Sequence, residues 1–212
     1  MRVVTGGLTR LSVMSPVPTT RFTVPEPVTH RDRLLIAASQ FTAEHGFSAL
    51  TMGKLADLVG VSRQTVYNEI GGKSQLAESM VMRELELFLE VVNSAFADFP
   101  DDLVEAIEAA AFRVLDQAAH DPLLRAILSS RQGADSELLP LLTTNSEALL
   151  GAARVMIREN VDSYDVGLDD EVLELLIDMV VRLVLSHVMQ PGGEPERTAQ
   201  TVAWIAQRVL LA

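Results

Sequence analysis

Residues 53–73, GKLADLVGVSRQTVYNEIGGK, carry the reading on which the fold turns. Leu55, Ala56 and Val59 recur at three- and four-residue spacing behind Thr51, a helix-capping residue, and Gly60 supplies a stop. Ser62 then caps a new start, and the helix it opens runs to about Glu69 before Gly71 and Gly72 break it. Two short helices joined across Gly60-Val61-Ser62 fit a helix-turn-helix, whose tight glycine turn sets the second helix at a steep angle to the first.

Working outward, Thr29 and Asp32 make a capping-box start, Leu34, Ala38 and Phe41 continue it, and Gly46 ends that helix. Residues 1–28 hold four of the nine prolines and read as a flexible arm, with Met14 an alternative start. Towards the C-terminus the periodicity predicts a helix from about Ser74 to Pro100. Others follow over about 101–119, 122–131, 136–160, 169–190 and 195–211. No long period-two alternation suggests a sheet, so the expected class is all-α with about nine helices. The expected domains are the arm, a helix-turn-helix unit over 29–75, and a second helical unit over 76–212.

Composition limits what such a chain can do. No cysteine is present, which excludes disulfides, thiolate metal sites and cysteine nucleophiles, and permits an intracellular setting. No uncharged apolar run reaches the length of a membrane span, and the N-terminus lacks a secretory apolar core, so a cytoplasmic protein with no membrane partner is expected. No glycine-rich phosphate loop or two-histidine metal motif occurs, which argues against an enzyme and calls for no cofactor. His30, His45, His120 and His187 are too scattered for a metal site. Asp101-Asp102 and Asp169-Asp170-Glu171 sit at expected helix starts, where negative charge suits the dipole, so no catalytic residues are assigned.

The net charge of −12 is the wrong sign for most nucleic-acid partners until it is divided. Residues 1–75 carry eight basic and five acidic side chains, a net +3, whereas the remainder carries −15. That asymmetry is expected when one end meets a polyanion and the other does not. Arg63, Gln64 and Thr65, first on the second short helix, have the chemistry to read base edges: Arg suits guanine, Gln suits adenine, and Thr offers a hydroxyl and a methyl. Thr51, Tyr67 and Lys73 are groups suited to phosphates. The plainer alternatives are a core role for Tyr67, solvent-facing roles for Thr65 and Asn68, and a surface charge at Arg63.

Residues 29–76 resemble the DNA-binding domain of the tetracycline-repressor (TetR) family of bacterial regulators. The resemblance rests on Thr51, Leu55-Ala56, Val59-Gly60-Val61-Ser62, Tyr67, Lys73 and Leu76. Two positions depart from the family pattern: Ile70 stands where Phe is usual, and Gly53 lies inside a helix at a cost of about 1 kcal/mol relative to Ala. The resemblance implies a double-stranded DNA operator, palindromic because the protein is a homodimer joined through its last two helices. It also implies a C-terminal effector domain, with the fourth helix passing an effector-induced shift to the DNA-binding end. DNA contacts are then expected from Thr51, Ser62, Arg63, Gln64, Thr65, Tyr67, Asn68 and Lys73. QTVYNEIGGK is further similar to actinobacterial members associated with alkane or fatty-acid metabolism.

Two patterns in the C-terminal half bear on this. Over 169–190 the polar residues Glu171, Glu174, Asp178, Arg182 and Ser186 form one narrow stripe on an otherwise apolar helix. Such a helix needs cover on more than one side, so a dimer interface is expected there with Val202, Ile205 and Val209. Aromatics make up only 5% of the chain, so a pocket would be lined by aliphatic side chains. Phe112, Leu115, Met156 and Met179 are the expected contacts for a small apolar effector such as a fatty acid or acyl-thioester; core filling is the alternative role. The overall expectation is a repressor released by that effector, with a helical lipid or small-molecule carrier as the competing reading.

Overall fold

The computed structural model describes residues 29–129 and 137–211. The expected arm over 1–28, with its alternative start at Met14, lies outside them. The described residues form helices joined by turns, without a strand: α1 (His30–His45), a 3-10 turn (Phe47–Ala49), α2 (Met52–Val59), α3 (Arg63–Ile70), α4 (Lys73–Asp98), α5 (Leu103–His120), α6 (Pro122–Ser129), α7 (Leu139–Leu142), α8 (Glu147–Val161), α9 (Asp170–Met189) and α10 (Pro195–Leu210).

The caps read from the sequence form as physical bonds. The Thr29 hydroxyl accepts the Asp32 amide at 3.1 Å while the Asp32 carboxylate accepts the Thr29 amide at 3.2 Å, closing the capping box of α1. Asp102 caps α5 with its carboxylate, which accepts the Glu105 amide at 2.9 Å. One expectation changes: the stretch expected as a single helix over 136–160 is divided into α7 and α8. Pro140 sits at the start of α7, where its missing N–H is harmless, but that helix stops after one turn. The Thr143 hydroxyl donates back to the Leu139 carbonyl and the Ser146 hydroxyl to the Thr143 carbonyl, so side chains satisfy backbone groups that a longer helix would pair.

Helices α1–α3 pack around Leu34, Phe47, Leu50, Leu55 and Val66, all 1% exposed or less, and form a small head. α4 is 26 residues, about 39 Å long, and belongs to both parts of the molecule. Its first turns place Leu76 and Met80 in continuity with the head core, and its later turns pack on α5 and α8. α6 also packs against α1, so the head touches the body through two helices. Beyond Val161, Tyr164 fastens the chain to the far end of α4 by donating to the Phe99 carbonyl at 2.7 Å. α10 lies along α5, burying Ala199 and Val202 against Ala111 in a separate cluster.

Candidate nucleic-acid interface and ligand cavity

The turn between α2 and α3 is made by backbone that few residues tolerate. Gly60 has φ 75° and ψ 36°, left-handed geometry that a Cβ disfavours, and its amide still donates to the Ala56 carbonyl at 2.9 Å. Ser62 then starts α3 by accepting the Thr65 amide at 3.0 Å, and the two hydroxyls hydrogen-bond at 2.8 Å. Val66 and Ile70 point inward and are buried, so Ile70 packs where the family pattern has Phe. Arg63, Gln64, Tyr67 and Asn68 occupy the opposite, exposed face, where Gln64 Nε2 donates to Asn68 Oδ1 at 2.9 Å. One face of α3 is therefore a short row of donors and acceptors held by a buried row behind it.

The flanks carry anion-binding chemistry. The Thr51 hydroxyl caps α2 by accepting the Lys54 amide at 3.1 Å, and its own hydrogen remains suited to a phosphate oxygen. Lys73 opens α4 with its ammonium 4.8 Å from the Phe47 ring centre and donates to the Ser48 carbonyl at 3.3 Å, so its charge is held beside the turn that precedes α2.

The body holds a cavity of about 170 Å³, walled by α4, α5, α6, α8 and α9. Along α4 its lining runs from Val81 to Phe96, about 22 Å of helix. The side chains around it are Val, Leu, Ile, Phe, Ala and Met, with one exception, Glu84. Its carboxyl is pushed up to about 8, by burial first and then by the negative charge of Asp121, with which it hydrogen-bonds; nearby Arg83 opposes the shift.

Two stretches of the chain match models of known families. Residues 34–80 match the model described as bacterial regulatory proteins, tetR family, and residues 102–208 match bacterial tetracyclin repressor, C-terminal domain. The chain belongs to the TetR family. It is a DNA-binding transcriptional regulator, and TetR regulators bind operator DNA as dimers and also bind effector ligands. The carrier reading gives way to this membership. The chain is 28% identical over 179 residues to the HTH-type transcriptional regulator AlkX of Mycobacterium tuberculosis, covering 84% of this chain and 82% of that one. It is 26% identical over 166 residues to the HTH-type transcriptional repressor AcnR of Corynebacterium efficiens, covering 77% and 84%. Among solved structures, the TetR family repressor AlkX from Dietzia sp., implicated in biodegradation of n-alkanes, superposes with a TM-score of 0.72 at 22% identity, covering 87% of this chain and 97% of that one.

Within this TetR regulator the expected contacts fall out unevenly. Arg63, Gln64, Tyr67 and Asn68 share the outer face of α3, and Tyr67, half exposed, is not a core residue. Thr65 is turned towards Ser62 and is partly buried, so the cap takes up its hydroxyl. Of the four expected effector contacts, none lines the cavity. Phe112 packs with the cluster beneath α10, Leu115 is buried elsewhere, Met156 is half-buried with its carbonyl accepting from Asn160, and Met179 is exposed. The reason is angular. α5 presents Ile107, Ala110, Ala111 and Val114 to the cavity, and Leu115 is rotated about 100° from Val114. On α9 the cavity takes Ile177, Val180 and Val181, with Met179 between them on the other side. Val202, expected at the dimer interface, is instead buried against α5 of its own chain.

The sequence reading missed three side chains. Arg31, on α1, donates to the Glu69 carbonyl at the end of α3 and to Ser79 Oγ on α4 at 2.8 Å. Arg33 donates to the Val59 carbonyl at the end of α2 at 3.0 Å. Both put positive charge where a helix leaves carbonyls unpaired, fixing the two helices of the helix-turn-helix to α1. Glu84 is the third; a lone acid on an amphipathic helix gives no signal that it faces a cavity.

Among the described residues no group of acidic and histidine side chains is arranged to hold a metal, and no helix is long and apolar enough to cross a membrane.

Proposed function

We propose that this regulator is a repressor that binds a palindromic operator as a homodimer and leaves it when an aliphatic molecule enters the cavity. Residues 29–75 act as the reading head and 76–212 as the effector and dimerisation unit, with α4 continuous across the division. The observation that carries the reading is the cavity itself: an elongated, aliphatic space whose walls α4 and α6 both pack on α1 of the head. A fatty acid, acyl-thioester or related aliphatic chain matches that lining, and the likeness to AlkX, whose Dietzia form is implicated in n-alkane biodegradation, supports the same class. The likeness to the repressor AcnR supports the sign of regulation.

The mechanism follows from leverage. An occupant spreading α4 from α6 tilts the head relative to the body, and two heads must match grooves about 34 Å apart on one face of the duplex. A coupling of about 1–3 kcal/mol between cavity and head suffices for regulation. The dimer is assigned to the last two helices, where α9 exposes Leu175 and Met179 and α10 exposes Trp204, each more than half accessible in the single chain. The acidic body limits nonspecific adhesion to DNA.

Gel-shift titration with DNA from upstream of the protein's own gene, with and without an alkyl-chain series, tests the reading. A shifted band lost with increasing chain length supports it, and a band indifferent to every chain counts against the effector class. Sedimentation at micromolar concentration tests the assembly: a stable monomer removes the dimer and the palindrome together.

A further inference from the structure

Gln64 and Asn68 stand one turn apart on the outer face of α3, both exposed, and Gln64 Nε2 donates to Asn68 Oδ1 at 2.9 Å. Thr65, between them, is turned to Ser62, so Gln64 and Asn68 front this face together with Tyr67. A glutamine amide has two N–H hydrogens and one carbonyl oxygen. With one hydrogen committed to Asn68, Gln64 keeps a single donor beside its Oε1 acceptor for whatever approaches the face.

The purines differ in the major groove by this same pattern. Adenine shows the N7 acceptor beside the N6 amino donor, whereas guanine shows two acceptors, N7 and O6. An unattached glutamine can turn its amino group to guanine and give one hydrogen to each acceptor. A glutamine held by Asn68 has one hydrogen left, and its Oε1 is set against a guanine acceptor. We propose that Asn68 is a positioning residue that makes Gln64 read adenine and reject guanine. This deepens, and rests on, the reading of the outer face of α3 as the surface that enters the major groove. Holding the amide also removes rotamer freedom that an unattached glutamine would lose on binding. Reversal of both amides would leave Gln64 with two donors, the guanine pattern, so the direction of this one hydrogen bond decides the base.

The experiment is selection of duplexes from a random-sequence DNA library by the full-length protein, repeated with Gln64→Ala, Asn68→Ala and Asn68→Asp. The base pair whose preference disappears in Gln64→Ala marks the Gln64 position. There the wild-type protein takes A·T over G·C by about tenfold or more, the discrimination of one bidentate contact. Asn68→Ala lowers that ratio by at least about threefold and leaves the preferences at other positions in place. Asn68 is exposed and alanine favours a helix, so the fold is kept. Asn68→Asp, whose carboxylate can only accept, keeps Gln64 as the donor and retains the ratio, although its charge weakens binding to every sequence. A wild-type preference for G·C at the Gln64 position overturns the proposal. So does a ratio unchanged in Asn68→Ala, where Asn68 then only steadies the helix, or a ratio that falls as far in Asn68→Asp as in Asn68→Ala. If Gln64→Ala alters no position while a sequence is still selected, α3 reads without Gln64, and the proposal falls with the regulator reading intact. Enrichment of no sequence by the wild-type protein overturns the reading of α3 and this assignment together.

Discussion

The guanidinium of Arg63 lies over Gly53, so close that a Cβ built on the glycine would stand 2.8 Å from Arg63 Nε and Nη2. The first residue of α3 thus rests in a gap that the first turn of α2 leaves by lacking a side chain. A glycine inside a helix sacrifices about 1 kcal/mol relative to alanine, and here the space it leaves is filled by the Arg63 guanidinium, a group with the chemistry to read a guanine edge. Gly53→Ala accordingly raises folding stability by up to about 1 kcal/mol while weakening specific operator binding, because Arg63 must leave its resting place. Urea denaturation and gel shift measure the two effects separately. Stabilisation with unchanged operator affinity would show that the position of Arg63 in the free protein is irrelevant to reading.

Arg63→Ala and Gln64→Ala each lose about 1–3 kcal/mol of specific binding and keep weak nonspecific binding, since both side chains lie on the exposed face of α3. Footprinting at wild-type affinity by both variants would mean that another surface enters the groove.

Lys73→Ala weakens binding to all sequences alike and lowers the magnitude of the salt slope by about one, as one fewer counterion is released. The ammonium is held by Phe47 and the Ser48 carbonyl, so the competing outcome is a loss of stability alone. A salt titration with an unchanged slope assigns Lys73 to packing.

Arg31→Ala frees the last carbonyl region of α3 and its tie to α4, and Arg33→Ala frees the end of α2. Each variant loses about 1 kcal/mol of stability, the scale of a partly solvated charge-assisted hydrogen bond. Hydrogen exchange in α3 quickens in Arg31→Ala, and operator affinity falls although neither arginine lies on the outer face of α3. Unchanged exchange across α3 would show that the clamp does not hold the helix.

Glu84 makes stability depend on pH. Its carboxyl is raised from 4.5 to about 8 in the folded protein, so between those values the native state holds a proton that the unfolded chain releases. Stability is therefore highest below about pH 4.5 with respect to this group and falls as pH rises to about 8. Burial drives the shift first, the negative charge of Asp121 adds to it, and Arg83 moderates it. Glu84→Gln removes the dependence, so its stability relative to wild type improves by on the order of 2 kcal/mol between pH 5 and pH 7. Chemical denaturation at both values checks this, and a constant difference would show that Glu84 ionises normally.

The helix-turn-helix was legible because each of its signals is local. A capping hydroxyl, a left-handed glycine and a row of apolar residues at helical spacing act within one or two turns of chain, and Thr51, Gly60, Ser62 and Val66 behave in the structure as their types require. The outer face of α3 follows from the same periodicity, because fixing Val66 and Ile70 inward leaves Arg63, Gln64, Tyr67 and Asn68 outward. The all-α class came from the same evidence summed along the chain.

The cavity and the clamps could be decided only by tertiary structure. α5 and α9 are apolar on more than one face, so periodicity marks Leu115 and Val114, or Met179 and Val180, as equally able to line a pocket; the packing of neighbouring helices chooses between them. Arg31 and Glu69 are distant in sequence, as are Glu84 and Asp121, and nothing local to either member reports the other. A side chain's conformation and capping obey its near neighbours, whereas its electrostatic role depends on how the fold buries it and on which distant group it brings near, as with Glu84, whose carboxyl is pushed up by burial and then by Asp121.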